Sequence, residues 1–328
     1  MLRLRQGITI TQVPTSAEPT RNKTLFFPFC NEATCFETWD NLTNTATMIL
    51  PRNLKYQNTP LYNGVNPLVR RGDKVKIEAG YYPKIKTLFN GYISKVSNDV
   101  PVEIKCEDEM FLLKQTISPN LSYKSVTLKK LLSDVIGQLV PYQSIEADLG
   151  MVRIKESSIG NVLKVLRDNY GLFSFFRNGT LYVGLAYYPN DAVTQTILFE
   201  RQVIEHDLEY LKQDDVKVKV KGVLITETSK QEIEVGDADG DLRTVFQYGG
   251  TLAELRRLCN VTLEQANYTG YYGSFTTFLE PNVRQGDYIR LASYKMPERD
   301  GVYLVKGVEK SFGVNGGRQI ITLERKVQ

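Results

Sequence analysis

The sequence predicts a mainly β protein with a small α/β insertion, two β-modules flanking it. Three observations carry that prediction. Apolar and polar residues alternate with period two through much of residues 1–118 and again through 201–328, as in strands with one buried and one wet face. The helical spacing appears in residues 119–200 and only once more beyond them. A short pattern of Gly-Asp turn, alternating strand, connection, Gly-led strand and closing strand occurs once in each β-rich region. At 328 residues the chain is long enough for two or three domains, and these boundaries divide it into three.

Within the first region, Met1–Thr11 alternates like a strand and lacks the continuous apolar core of a signal peptide. Thr45–Leu50, Asp73–Glu78 and Val102–Cys106 alternate in the same way, while Pro28 and Pro51 punctuate the connections. Tyr56–Arg71 is rich in Asn, Pro and Gly and reads as a long loop. In the second region Thr127 caps a helix with the stripe Leu128, Leu131, Leu132, Val135, Ile136 and Leu139. A second helix runs from Ser158 to Tyr170 and ends at Gly171, where a left-handed residue is required. Leu172–Phe176 and Leu181–Gly184 then form a hairpin about Asn178-Gly179, a pair suited to a turn with two positive φ angles. In the third region Asp215–Lys221 alternates, and Thr251 with Glu254 forms a capping box for a helix carrying Leu252, Leu255, Cys259 and Leu263. Strands resume at Tyr271, and Gly313–Gly317 reads as a hairpin turn.

The repeat aligns Arg71–Ile77, Phe89–Val96 and Val102–Lys105 with Gln285–Leu291, Asp300–Lys306 and Gln319–Glu324. Gly permits the turn, and Asp hydrogen-bonds its own backbone there. The residues singled out are therefore structural turns: Gly72, Asp73, Gly91, Asn178, Gly179, Gly286, Asp287 and Gly301. Arg71-Gly72-Asp73 also spells an integrin-recognition tripeptide, but the second copy has Gln285 in place of the arginine, which favours a turn.

The search for chemistry returns no catalytic, cofactor or metal set. The single histidine, His206, sits in a strand-like context without a serine motif. Cys30 and Cys35 form a C-x4-C pair with no second Cys/His pair to complete a zinc site, and free thiols are expected. Carboxylates remain, in Glu107-Asp108-Glu109 and Asp237–Asp241; both read as solvated turns, and the second lacks the ligand spacing of an EF-hand loop. A net charge of +4 from 41 basic and 37 acidic residues shows no nucleic-acid footprint. With 19 Tyr and 14 Phe the composition favours strands and broad protein contacts. No apolar run is long enough to cross a bilayer.

Phe89–Ile93, followed by Pro101–Met110 and Leu112–Lys114, resembles the first barrel of phage tail (baseplate) hub proteins, the late control protein D-like family, related to the base of type VI secretion spikes. Gln285–Asp287, Arg299–Tyr303 and Gly317–Gln319 resemble the second barrel. The resemblance covers the chain from about residue 65 onward. It implies two β-barrel-like hub domains flanking an α/β domain, and no catalytic residue or cofactor. It further implies a homotrimer whose six similar barrels join a six-fold tail tube to a three-fold spike, fibre or tip around a central channel. The expected partners are tail tube or distal tail protein, spike or tip, and tape-measure protein, with DNA only as cargo and no stable membrane association. The expected location is the virion tail or baseplate, assembled in the host bacterial cytoplasm. The alternatives are a tail-associated cell-wall hydrolase acting through Glu107 or Asp108, and a host-glycan-binding tail protein.

Overall fold

A computed structural model describes residues 3–16, 18–51, 55–56, 59–60, 67–97, 101–185, 194–226 and 229–327. The first region contributes β1 (Leu4–Thr11), β2 (Thr24–Phe27), β3 (Glu32–Thr38), β4 (Thr45–Leu50), β5 (Lys55–Tyr56), β6 (Thr59–Pro60), β7 (Lys74–Tyr81), β8 (Lys84–Val96) and β9 (Val102–Glu107). Then come α1 (Met110–Gln115), β10 (Leu121–Tyr123), α2 (Leu128–Val135), β11 (Tyr142–Ser144), β12 (Val152–Ile154), α3 (Ile159–Tyr170), β13 (Phe173–Arg177) and β14 (Thr180–Gly184). The remainder holds β15 (Thr194–Leu198), α4 (Phe199–Gln202), β16 (Val203–Leu211), β17 (Val218–Ile225), β18 (Lys230–Gly236) and β19 (Asp241–Tyr248). It ends with α5 (Leu252–Ala266), β20 (Gly270–Thr277), β21 (Tyr288–Ala292), β22 (Gly301–Gly313) and β23 (Gly316–Lys326).

The period-two pattern does what it predicts. In β4 the buried side chains are Ala46, Met48 and Leu50, and in β7 they include Val75, Ile77 and Ala79. Most of these strands belong to one 13-stranded sheet, ordered β16-β20-β23-β22-β3-β4-β9-β8-β7-β1-β2, with β21 on β22 and β15 on β21. Two six-stranded sets share one plan. Spatial order β3-β4-β9-β8-β7-β1 in the first matches β16-β20-β23-β22-β21-β15 in the second, and matched strands follow in the same chain order. The outermost pairing differs, since β1 is antiparallel to β7 whereas β15 is parallel to β21.

The sets are joined because β22 is long. Its first residues pair with β21, and Gly307–Gly313 pairs with Thr38–Glu32 of β3. Phe312 and Leu279 consequently lie in the first set's apolar core, with Ile8, Ile77 and Ile104. Across the join Lys310, 1 % exposed, reaches Glu37 at 2.7 Å. Tyr81 Oη donates to the Gly317 carbonyl at 3.1 Å.

Four apolar clusters result. One fills each strand set. A third surrounds α2 and α3, and includes Met110 and Leu113 from α1. The fourth holds β17 and α5 together around Val220, Leu255 and Cys259, in a unit inserted between β16 and β20. Thr127 accepts from Lys130 N, Ser158 from Asn161 N, and the Thr251–Glu254 capping box closes in both directions. Gly171 ends α3 with φ 63°.

Some details depart from the sequence reading. Met110–Gln115 is a helix, where strand and turn were expected; Asp108 and Glu109 at the corner start a turn whose amide donors they help satisfy. Leu139 lies beyond α2, which stops before the left-handed Gly137, and is exposed. Gln213–Asp215 forms a 3-10 turn, so the alternating strand begins at Val218. Within Tyr56–Arg71, Lys55–Tyr56 pairs with Thr59–Pro60, and positions 57–58 and 61–66 lie outside the described residues.

Candidate functional site

The two Gly-Asp turns are built alike. Gly72, with φ 90°, donates its N–H to the Ile93 carbonyl at 2.8 Å, and Ile93 N–H returns a bond to the Asp73 carbonyl at 2.8 Å. Gly286, with φ 78°, donates to Val305 at 2.9 Å, and Val305 donates back to Asp287 at 2.9 Å. Asp73 Oδ2 accepts from Arg70 N at 2.8 Å; Asp287 Oδ2 accepts from Arg284 N at 2.9 Å. The next strand carries a bulge at the matching place, between Ile93 and Lys95 in one set and between Val305 and Gly307 in the other.

Each aspartate is buried and faces an arginine. Asp73 is 0 % exposed and binds Arg21 through both carboxylate oxygens, with Nη2 to Oδ2 at 2.6 Å. Arg21 arrives from the β1–β2 connection. Asp287 is 3 % exposed and its Oδ1 lies 3.3 Å from Arg177 Nη2, at the end of β13. Arg177 also donates to the Gln285 carbonyl at 3.3 Å, and Arg284 donates to Asn178 Oδ1 at 3.2 Å. The Asn178-Gly179 hairpin, with φ 52° and 78°, is thus seated on the Gly286-Asp287 turn.

Those four sequence-selected residues come together, and two of them, Asn178 and Gly179, line a cavity of about 120 Å³ whose walls include Glu37, Asn90, Asp108 and Arg177. Gly72 and Asp73 form the separate corner of the first set. Gly91 sits where β8 crosses the end of β9, and a Cβ there would lie 2.1 Å from the Glu107 carbonyl oxygen. The register pairs Gly91 with Val75 and Tyr303 with Ile289, so Gly91 corresponds to Tyr303 and not to Gly301. Gly301 opens β22. Arg70 and Arg284, whose backbone amides bond the two aspartates, were missed by the sequence reading, although a signal was present. The repeat extends backward to Val69-Arg70-x-Gly72-Asp73 and Val283-Arg284-x-Gly286-Asp287, and both valines are buried. Arg21 and Arg177 carry no local signal, because their partners are distant in sequence.

Glu107 pairs with Lys114 at 2.6 Å. Asp108 is not a solvated turn: it is 4 % exposed, Oδ2 accepts from Asn44 N and Oδ1 from Met110 N, each at 3.0 Å. Burial pushes its carboxyl from 3.8 up to about 7, against those two amide donors, which pull it down. Below the unfolded value both states are protonated. Between it and about 7 the unfolded chain releases a proton that the folded chain keeps, so stability is lost as pH rises through that window. We predict a loss of at most about 4 kcal/mol from this group, read as the wild-type minus Asp108→Asn difference in urea unfolding free energy at stepped pH. A difference that stays constant from pH 4 to 7 would refute it.

His206 is exposed on β16 and packs edge-on against Phe199 at 5.1 Å. Asp237–Asp241 forms a turn in which Gly240 N donates to the Asp237 carbonyl at 3.1 Å. Among the described residues no group of three or more His, Cys, Asp or Glu side chains is placed to hold a metal ion. The four cysteines are free and buried, and burial pushes the Cys30 and Cys35 thiols up to about 12. No helix among the described residues is long and apolar enough to cross a membrane.

No family model and no curated protein matches the sequence. Solved structures do. A tail protein from Neisseria meningitidis aligns over 98% of this chain and 96% of its own, at 14% identity and TM-score 0.63. A 43 kDa prophage tail protein from Shewanella oneidensis aligns over 98% of both chains, at 12% identity and TM-score 0.60. An Escherichia coli component of the type VI secretion system, described as similar in structure to T4 phage tail proteins, aligns over 90% of this chain and 73% of its own, at 11% identity and TM-score 0.56. The chain therefore has the fold of phage tail proteins and of a type VI secretion component, the fold that the resemblance in its sequence implies.

Proposed function

We propose that the chain is a structural tail-hub subunit of a phage or phage-like particle. Three copies form a ring that joins the tail tube to a spike, fibre or tip and surrounds a central channel. The observation that carries this reading is the twice-used six-strand order, with matching Gly-Asp corners, inside one continuous sheet. Two near-equivalent modules per chain give a three-fold ring six similar faces, which suits a six-fold tube on one side and a three-fold part on the other. In this reading residues 1–118 and 201–328 are the barrel-like domains, the second completed by β15 (Thr194–Leu198), the rest of 119–200 is the α/β domain, and the Gly-Asp and Asn-Gly turns have architectural roles. The partners are tail tube or distal tail protein, spike or tip, and tape-measure protein, with DNA passing as cargo. The site of action is the tail of the virion, after assembly in the host cytoplasm, and the role is not enzymatic.

Light scattering on the purified protein is expected to return three chain masses, and electron-microscopy averages a three-fold ring. A folded monomer at micromolar concentration would overturn the reading. A second reading, a tail-associated cell-wall hydrolase, draws on the raised Asp108 carboxyl. Its requirement is wall-degrading activity that Asp108→Asn abolishes while the protein stays folded.

A further inference from the structure

The small sheet of β10 and β12 leaves a strand edge beside a helix. Among the described residues β12 pairs only with β10, so its outer edge presents backbone donors and acceptors. Between β12 and α3 lies a groove of about 390 Å³. Met151–Lys155 line it without a gap, as the edge of a strand does, whereas the face of a strand shows every second residue. The helix supplies Val162, Val165 and Leu166. Asn161 Nδ2 donates to Ser157 Oγ at 2.8 Å, tying the two walls together where the chain passes from one to the other. Two apolar side chains stand open there, Met151 at 72 % exposure and Val165 at 43 %.

The charge of the groove is one-sided. It runs on into a second hollow that shares Met151, Asn169 and Tyr170 with it, and the charged residues lining the two are Lys124, Arg153, Lys155 and Lys230. In a chain with 41 basic and 37 acidic residues, walls without a carboxylate favour an acidic occupant. Alternation along β12 then sets the occupant's pattern. Val152 and Ile154 turn toward the apolar cluster that contains Val162 and Leu166, while Met151, Arg153 and Lys155 are exposed. Side chains of a strand added to this edge fall in line with those of β12. Those beside Val152 and Ile154 meet the apolar face of α3, and those beside Arg153 and Lys155 meet two cations. We propose that the groove takes an extended peptide segment of a partner protein, with apolar and acidic residues alternating, added as a strand to β12 and covered by α3. A helical segment would leave the edge's backbone groups unused, and a nucleic acid would leave Met151 and Val165 uncovered. The site uses none of the Gly-Asp or Asn-Gly turns and is independent of the hub reading.

The test is fluorescence anisotropy of the full chain with a labelled peptide, Glu-Val-Glu-Val-Glu-Val, blocked at both ends. Saturable binding is expected, weakened at least about tenfold by Arg153→Glu with Lys155→Glu, which set like charges opposite each other. Both positions are exposed, so the double variant leaves the core untouched. The peptide with Lys in place of Glu is expected to prefer the double variant. N-methylation of alternate peptide amides keeps every side chain and removes the donors along one edge. One methylation register is expected to abolish binding and the other to preserve it, since only one edge of an added strand faces β12. Equal effects of the two registers overturn strand addition. Equal binding of Glu-Glu-Glu-Val-Val-Val, which has the same composition without alternation, overturns the pattern. A labelled oligothymidylate that binds the chain where the peptide does not, and is lost in the double variant, makes the groove a nucleic-acid surface and overturns the proposal. So does the absence of saturable peptide binding at millimolar concentration.

Discussion

Asp73→Ala is expected to destabilise the protein by about 3–5 kcal/mol, the cost of breaking a buried ion pair by removing one partner. The carboxylate is wholly buried and does three jobs. It binds Arg21 through both oxygens, accepts from Arg70 N to close the turn, and accepts from Val13 N at 3.1 Å. Alanine leaves a buried guanidinium and two amides without that acceptor. Against a typical stability of about 5–15 kcal/mol the loss is large enough to show as a lower urea midpoint and a reduced yield of folded protein. Asp73→Asn is expected to cost less, because an amide oxygen still serves one amide donor. Adding Arg21→Met to Asp73→Ala is expected to recover part of the loss by removing the stranded charge. An Asp73→Ala protein within about 1 kcal/mol of wild type would mean that the corner is held by its backbone bonds alone.

That corner also marks the limit of what the sequence disclosed. Gly72-Asp73 and Gly286-Asp287 were legible because turn chemistry is local, requiring one positive φ and one side chain bonded to its own backbone. The capping residues Thr127, Ser158 and Thr251 were legible for the same reason. Arg21 and Arg177 were not, since pairing a buried aspartate with an arginine tens of residues away leaves no mark on either segment. The join between β22 and β3 was hidden likewise. Alternation in each strand reports which face is buried, and says nothing of which strand lies alongside. Asp108 was misjudged as solvated because an acidic cluster usually is. Its burial follows from the turn into α1, and α1 itself is too short for a periodic signal.

The Gly-led strands offer the sharpest test of register, because the two readings rank a pair of substitutions differently. Aligning Gly91 with Gly301 by sequence predicts similar costs for alanine at both. The structure predicts unequal ones. At Gly91 a Cβ falls 2.1 Å from the Glu107 carbonyl oxygen and 2.8 Å from the Asp108 Cα, atoms fixed by the β8–β9 ladder. Relief requires the strands to part next to the buried Asp108, so Gly91→Ala is expected to lose about 3 kcal/mol, the upper end of overpacking costs. At Gly301 the nearest atom is Lys326 Cε at 2.8 Å, the far end of a flexible side chain, followed by the Tyr303 ring at 3.0 Å. Gly301→Ala is therefore expected to lose about 1 kcal/mol, most of it against the buried ring. Urea unfolding of the two variants measures the difference directly. Equal losses would restore the sequence alignment and take Tyr303 out of correspondence with Gly91, and with it the residue-level match of β8 to β22.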